Sequence, residues 1–123
     1  GIGHVVAQVG PQIGPNAFSS LAAMRDWLGT DEAAAFGRAY RKTRAYMNES
    51  PAAEIAAAEK EYFPDIDEVV LADCINTYQN LGCWTPHPEI TAEAFDVAQD
   101  VFIHFGSLKE KVEYGQAVVA PPA

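Results

Sequence analysis

Two cysteines and three histidines are the residues of this chain that most readily bind metal ions or act as nucleophiles and bases. Cys83 and His87 lie four positions apart in the stretch "NLGCWTPHPEIT". Pro86 stands between them and excludes the regular helix on which residues i and i+4 could share one ion. A zinc site needs further ligands, and Cys74, His104 and the scattered carboxylates have no recognisable spacing. We therefore predict no metal site.

Neither cysteine is accompanied by the groups that nucleophilic catalysis requires. A reactive thiolate needs a nearby base and donors that stabilise developing charge, and the sequence supplies neither beside Cys74 or Cys83. Cys74 falls on the predicted apolar face of a helix, where a buried and inert thiol is usual. No phosphate-binding glycine loop, hydrolase motif or kinase motif is present. We predict no catalytic residue and no cofactor.

The stretch around Cys83 is better interpreted as a stiff connector between two helices. Gly82 is suited to end a helix in the left-handed conformation, and Thr91 is a good N-cap for the next helix. Prolines within the stretch favour extended backbone at the residues before them. Trp84 is the predicted anchor of this connector, because it is a large ring that can be buried against the core.

Capping residues and hydrophobic periodicity predict four helices in the middle of the chain. Their predicted bounds are about residues 30–48, 51–63, 65–81 and 91–106. The first places Phe36, Tyr40, Thr43 and Met47 on one stripe. Its opposite side carries a basic cluster, defined as Arg38, Arg41, Lys42 and Arg44. A solvated helix face is the preferred interpretation of this cluster, and a surface for an anion or a partner is the alternative.

The two ends of the chain lack a helical pattern. Glycines, prolines and short apolar runs in residues 1–29 predict extended segments, with strands at Val5–Val9 and Ala17–Ala23. Residues 107–123 have no clear period and end in prolines, which predicts an extended tail. The expected chain is therefore mainly α, with three parts: an extended part (1–29), a helical part (30–106) and a tail (107–123).

Length and charge restrict the function further. At 123 residues the chain is expected to form one domain. Seventeen acidic and eight basic residues give a formal charge of −9, which disfavours nucleic-acid and anionic-membrane partners. No apolar run reaches the length needed to span a bilayer, so no direct membrane insertion is expected. The chain has no initiator Met and no recognisable signal peptide, which we interpret as a processed product or a piece of a longer protein.

Several elements, taken in order, resemble a known family over about residues 15–115. They are "NAFSSLAAMRDWL", the segment "EYFPDID", a helix leading to "LGCW", the turn "WTPHPEI" and a final Lys followed by "VEY". In this order they are similar to the C-terminal region of substrate-binding proteins of nitrate, sulfonate and taurine type ABC importers. The wider family includes thiamine-pyrimidine precursor binders and synthases.

The resemblance implies that the chain is the C-terminal part of a two-lobed α/β protein with the type II periplasmic-binding-protein-like fold. Such a protein captures a small organic or inorganic anion and delivers it to a membrane permease, which implies a periplasmic or extracytoplasmic location. By the same resemblance Asn16, Phe18, Ser19 and Ser20 lie nearest to the ligand cleft. The alternative for these residues is that Phe18 packs in the core and that the serines make turn hydrogen bonds.

Two other functions remain open at this point. One is an enzyme of pyrimidine biosynthesis on the same fold, although the cysteine-rich motif expected of that branch is absent from this stretch. The other is a stand-alone helical interaction module that uses the basic cluster. A signal peptide upstream of the chain would favour transport, whereas a cytosolic start with a Cys/His cluster would favour the enzyme.

Overall fold

The computed structural model of the protein describes His4 and residues 6–123. This part of the chain contains six α-helices: α1 Gly10–Ile13, α2 Asp31–Glu49, α3 Ala52–Glu59, α4 Glu68–Asn80, α5 Ala92–His104 and α6 Tyr114–Ala117. Two 3-10 helices lie at Trp27–Gly29 and Lys60–Tyr62. The mainly helical prediction is confirmed. Of the helices in the described part, none combines the length and apolar character needed to cross a membrane.

The predicted N-terminal strands are not formed. Ala17–Ala23 is irregular backbone, and so are residues 6–9 of the other predicted strand, whose first residue, Val5, lies outside the described residues. A strand needs a neighbouring strand to pair its backbone groups, and the described part of the chain offers none. The N–H of Ala17 instead donates to the carbonyl of Ala94 in α5 at 3.1 Å. In the predicted extended tail, residues 107–123, the short helix α6 was also missed.

The longer helices begin and end at residues whose local chemistry favours a terminus. Thr30 Oγ1 accepts from the N–H of Ala33 at 3.2 Å, and Thr91 Oγ1 accepts from Ala94 at 3.1 Å. The side chain of Asp67 caps α4, so this helix begins at Glu68 rather than at the predicted position of about residue 65. Gly82, with φ of 64°, follows α4 in the left-handed region that glycine adopts without strain.

Two compact units make up the chain. The first unit comprises Gly1–Met24 and Glu89–Pro121, and the second comprises Arg25–Pro88 with Pro122–Ala123. The first therefore contains α1, α5 and α6, with Ala98 and Gln99 of α5 buried. Gln99 Oε1 accepts from the N–H of Val112 at 2.6 Å, which ties the segment after α5 back to that helix.

In the second unit, α3 packs against α4. Its core cluster contains Ile55 and Ala56 of α3 with Leu71 and Ile75 of α4. These residues repeat at intervals of one or four, as expected for the facing sides of two helices. The free energy that holds this unit together comes mainly from removing these side chains from water.

The stripe predicted on α2 is only partly buried, since Tyr40 and Met47 are half-buried and Phe36 and Thr43 are exposed. Ala33 and Gly37 are the buried residues of this helix, whereas Phe36 is 48% exposed and stacks on Tyr40 with ring centroids 6.2 Å apart. A Cβ on Gly37 would lie 2.6 Å from the carbonyl oxygen of Pro122. The C-terminal segment Pro122–Ala123 therefore lies against α2 at a position that only glycine fits without displacement.

Candidate functional site

The connector after α4, residues 83–88, is fixed at two points within the second unit. Trp84 is half-buried, packs against the core cluster and meets Tyr78 edge-on, with ring centroids 5.5 Å apart and an interplanar angle of 74°. Arg44 donates from Nε to the carbonyl of Thr85 at 2.9 Å and from Nη2 to Thr85 Oγ1 at 2.8 Å. One apolar and one polar contact thus hold the connector.

The residues considered above as metal ligands or nucleophiles, Cys74, Cys83 and His87, lie in or near the connector region. Both cysteines are exposed, which corrects the prediction that Cys74 is a buried thiol on the apolar face. Within the described residues no group of three His, Cys, Asp or Glu side chains could hold a metal ion. His87 contributes its backbone carbonyl as acceptor of a hydrogen bond from Thr85 Oγ1 at 2.9 Å.

The four residues nearest to the expected cleft lie together in the first unit, on the irregular segment that follows α1. Phe18 is 67% exposed and stacks on Phe102 of α5, with ring centroids 6.2 Å apart and an interplanar angle of 15°. Phe18 is therefore not a core residue. Ser20 Oγ donates to the carbonyl of Ala17 at 3.0 Å, whereas Ser19 is exposed.

Asn16 is the one residue of these four with a buried side-chain atom that lacks a hydrogen-bond partner among the described residues. Its side chain is partly buried, and its Oδ1 is buried without a donor among the described residues. A buried acceptor without a partner costs free energy relative to one that accepts a hydrogen bond. The donor to such an atom can be a water molecule, a ligand or another segment of the protein.

A shallow groove of about 390 Å³ also lies in the first unit, on the surface of α5. Ile13 of α1, Val97 and Val101 of α5, and Phe105 directly after that helix give it an apolar lining, to which Asp100 and His104 add polar groups. The apolar residues of α5 recur every four positions, so they lie along one face of that helix. The groove is open to solvent, and Phe105 is 76% exposed.

Two carboxylates beside the groove share one ammonium group within the unit, which balances their charge in part. Lys111 Nζ lies 2.7 Å from Asp96 Oδ1 and 2.8 Å from Asp100 Oδ1. Its hydrogen bonds to Asp100 and then to Asp96 raise the pKa of Lys111 above its ordinary value. Because Lys111 is occupied by two carboxylates, it does not act as a receptor for an external anion. The groove offers mainly apolar surface, and the described residues that line it include no Ser, Thr, Cys or Lys.

The sequence prediction did not identify this groove or the Lys111 pairs. A signal was present, since Asp96, Asp100 and His104 follow one another at intervals of four and Val97, Val101 and Phe105 do the same one position later. Both rows are therefore adjacent stripes of one helix. The periodicity of α5 could not predict that Ile13 lines the groove or that Lys111 pairs with Asp96 and Asp100, because both residues lie outside this helix in the sequence.

One curated protein is similar to nearly the whole of this chain. The protein named "Putative binding protein YtlA" from Bacillus subtilis (strain 168) is 28% identical over 120 residues. The match covers 96% of the chain and 36% of that protein. The chain thus spans about a third of the length of the curated relative it matches. No protein-family model and no solved structure matches the chain.

Proposed function

We propose that this chain is the C-terminal part of the solute-binding component of an ABC importer. The observation that carries the proposal is the similarity to the Bacillus protein named as a binding protein, which extends over 96% of the chain. The ordered motifs of the sequence, from "NAFSS" to "VEY", support the same assignment. The whole protein would capture a small organic or inorganic anion outside the cytoplasm and deliver it to a membrane permease.

In this proposal the complete protein has the two-lobed type II periplasmic-binding-protein-like fold. The 36% coverage of the Bacillus protein is consistent with a chain that supplies only one part of such a fold. The helical composition fits that role, because helices cover the faces of the sheets in α/β proteins. The strands of both lobes, and most of the groups that set ligand specificity, would then come from the remainder of the protein.

Asn16 is our proposed ligand contact in this chain. Its buried Oδ1 requires a donor, and a solute with an ammonium or amide group would supply one. Ser20 already donates its hydroxyl to Ala17, and Phe18 offers only a ring face. The geometry therefore favours an amine-bearing anion such as taurine over nitrate, which has no hydrogen-bond donor.

A thermal-shift screen on the full-length protein tests the proposed function. The panel contains taurine, other sulfonates, nitrate and pyrimidines. A ligand at about 100 times its dissociation constant should raise the free energy of unfolding by about 2.7 kcal/mol. Stabilisation by taurine or another sulfonate supports the proposal. Stabilisation by pyrimidines alone assigns the protein to the pyrimidine branch, and a panel without any effect refutes the proposed solute range.

A separate substitution with a matched control tests whether Asn16 contacts the ligand. Asn16→Ala should weaken binding of the active compound about tenfold or more, because a hydrogen bond to a charged group contributes about 1.5–3 kcal/mol. Asn76→Ala removes the same side chain from an exposed position of α4 and should leave affinity unchanged. Equal affinities of the two variants would show that Asn16 is not a ligand contact.

A further inference from the structure

Three backbone carbonyls converge on one side-chain ammonium group in the turn between α3 and α4, residues 63–67. Lys60 Nζ donates to the carbonyl of Ile66 at 2.6 Å. It also donates to the carbonyls of Pro64 and Phe63, at 3.1 Å and 3.2 Å. A primary ammonium group has three N–H donors, so all of its donors are used here. The three acceptors belong to one short turn, which is therefore folded around a cation.

Hydrogen bonds other than those of the ammonium group also hold this turn. The N–H of Ile66 donates to the carbonyl of Phe63 at 3.1 Å, and the N–H of Phe63 donates to the carbonyl of Lys60 at 3.2 Å. Asp67 then caps α4 by accepting from the N–H of Val69 at 2.9 Å. We therefore expect the carbonyl oxygens to stay close together when the ammonium group is removed.

The surroundings of the turn also favour a cation. Residues 59–68 contain five carboxylates, and Lys60 is their one basic residue. A group of like charges raises the local concentration of ions of opposite charge. Lys60 is half-buried, so water competes less with the carbonyl oxygens than it does at an exposed position. Hydrogen bonds from an ionised donor are also shorter and stronger than those between neutral groups.

We propose that the turn at residues 63–67 is a binding site for a primary ammonium group, which Lys60 fills from within the same chain. The site takes up an external primary alkylammonium ion when the lysine side chain is shortened. A quaternary ammonium ion carries the charge without any N–H donor, so it does not bind. This inference is independent of the proposed function, because every contact that supports it lies within the second unit.

Chemical rescue in the full-length protein tests the proposal. Lys60→Ala keeps the first carbon of the four-carbon stem and removes the rest together with the ammonium group, and the free propylammonium ion matches the removed atoms. The loss of hydrogen bonds from a charged donor should raise the unfolding equilibrium constant, measured in urea, at least about tenfold. Propylammonium chloride should lower this constant again, by a factor that increases linearly with the ligand concentration.

Three controls separate binding at the turn from a general effect of salt. Tetramethylammonium chloride at the same concentration should not rescue Lys60→Ala. Lys60→Met keeps an apolar stem in place, so it should be destabilised without rescue by propylammonium. Lys109→Ala removes a lysine from an exposed position and should respond to neither salt. Equal effects of the two salts on Lys60→Ala, or equal effects of propylammonium on Lys60→Ala and Lys109→Ala, would overturn the proposal.

A measurement on the unsubstituted protein decides the question if Lys60→Ala does not fold. Acylation of the lysines by acetic anhydride is followed residue by residue with mass spectrometry. The amine of Lys60 should react at least about tenfold more slowly than that of the exposed Lys109, because its reaction requires local opening of the turn. The two rates should become equal in urea. Equal rates in the folded protein would refute the proposed site.

Discussion

Replacing Gln79 by glutamate perturbs the hydrogen bonds that Gln79 makes with backbone carbonyls at the C-terminal end of α2. Gln79 lies on α4 and donates from Nε2 to the carbonyls of Met47 and Ser50, both at 2.9 Å. The last carbonyls of a helix have no partner within the helix itself. Gln79 thus satisfies acceptors at the end of α2 and joins this end to α4 within the second unit.

The structure sets the size of the effect. A hydrogen bond contributes about 1 kcal/mol to stability, so Gln79→Ala should lower the free energy of unfolding by about 2 kcal/mol. Gln79→Glu keeps the shape of the side chain but turns its donor into a carboxylate that faces two carbonyl oxygens. Desolvation and repulsion then add to the lost bonds, and we expect a loss of about 3 kcal/mol at neutral pH.

The loss of stability caused by Gln79→Glu should increase as the pH rises. The carbonyls and the partial burial disfavour the charged form, so the pKa of the introduced carboxyl in the folded state should lie above its unfolded value of about 4.3. The protonated carboxyl can donate a hydrogen bond. The difference from the unsubstituted protein should therefore be smallest below about pH 4.3 and should increase as the pH rises through the folded pKa.

Urea unfolding at pH 4 and pH 7, followed by circular dichroism, measures these differences. Gln12→Glu is the matched control, because it makes the same change of charge at an exposed position and should alter stability by less than about 0.5 kcal/mol. The hydrogen bonds of Gln79 do not stabilise the end of α2 if Gln79→Glu lowers the free energy of unfolding no more than Gln12→Glu does. The same conclusion follows if Gln79→Glu is more destabilising at pH 4 than at pH 7.

Three further changes test other contacts of the second unit. Trp84→Ala should cost about 3 kcal/mol in urea unfolding, the lower end of the range for aromatic truncation because the ring is only half-buried; a loss below about 1 kcal/mol would argue against an anchor. Gly37→Ala should lower the free energy of unfolding in urea by about 1–3 kcal/mol relative to Gly115→Ala, because its new Cβ would lie 2.6 Å from the carbonyl oxygen of Pro122. Gly115→Ala adds the same methyl group where no atom lies within 4 Å, and equal stabilities of the two variants would contradict the close approach of Pro122. Burial, and then the nearby Glu54, raise the pKa of Tyr46, so the folded chain loses stability as the pH rises from about 10 through this raised pKa. Ultraviolet titration should detect a late tyrosine that titrates earlier after Glu54→Gln, and an unchanged midpoint would contradict this assignment.

Local signals predicted the helices well, because helix caps act over three or four residues. Thr91 caps its helix as predicted, and Thr30 caps the helix that was predicted to begin at about residue 30. The prediction of two strands failed because strand formation depends on contacts that are not local in the sequence. Their apolar composition is compatible with extended structure, but a strand is stable only beside another strand, and the sequence of a segment does not state whether its neighbour is present.

Burial on a helix face was harder to predict than the helix itself. Cys74 fits the apolar periodicity of α4 but is exposed, because α3 packs on the side of α4 that carries Leu71 and Ile75. The direction from which a neighbour approaches selects which part of a broad apolar stripe is buried. The same limit applies to the candidate site, where Asn16 was selected by resemblance and only the structure identifies its buried and unpaired oxygen.

The long-range hydrogen bonds of the second unit also change the interpretation of the basic cluster on α2. Arg44 makes two hydrogen bonds to Thr85, 41 residues away, and Arg41 is partly buried near Gly37. Only Arg38 and Lys42 of the cluster remain fully exposed. Two exposed charges one turn apart form a small solvated surface, which weakens the case for a stand-alone interaction module. Arg44 instead acts together with Trp84 to position the connector, so the cluster contributes to the fold of the unit more than to an external surface.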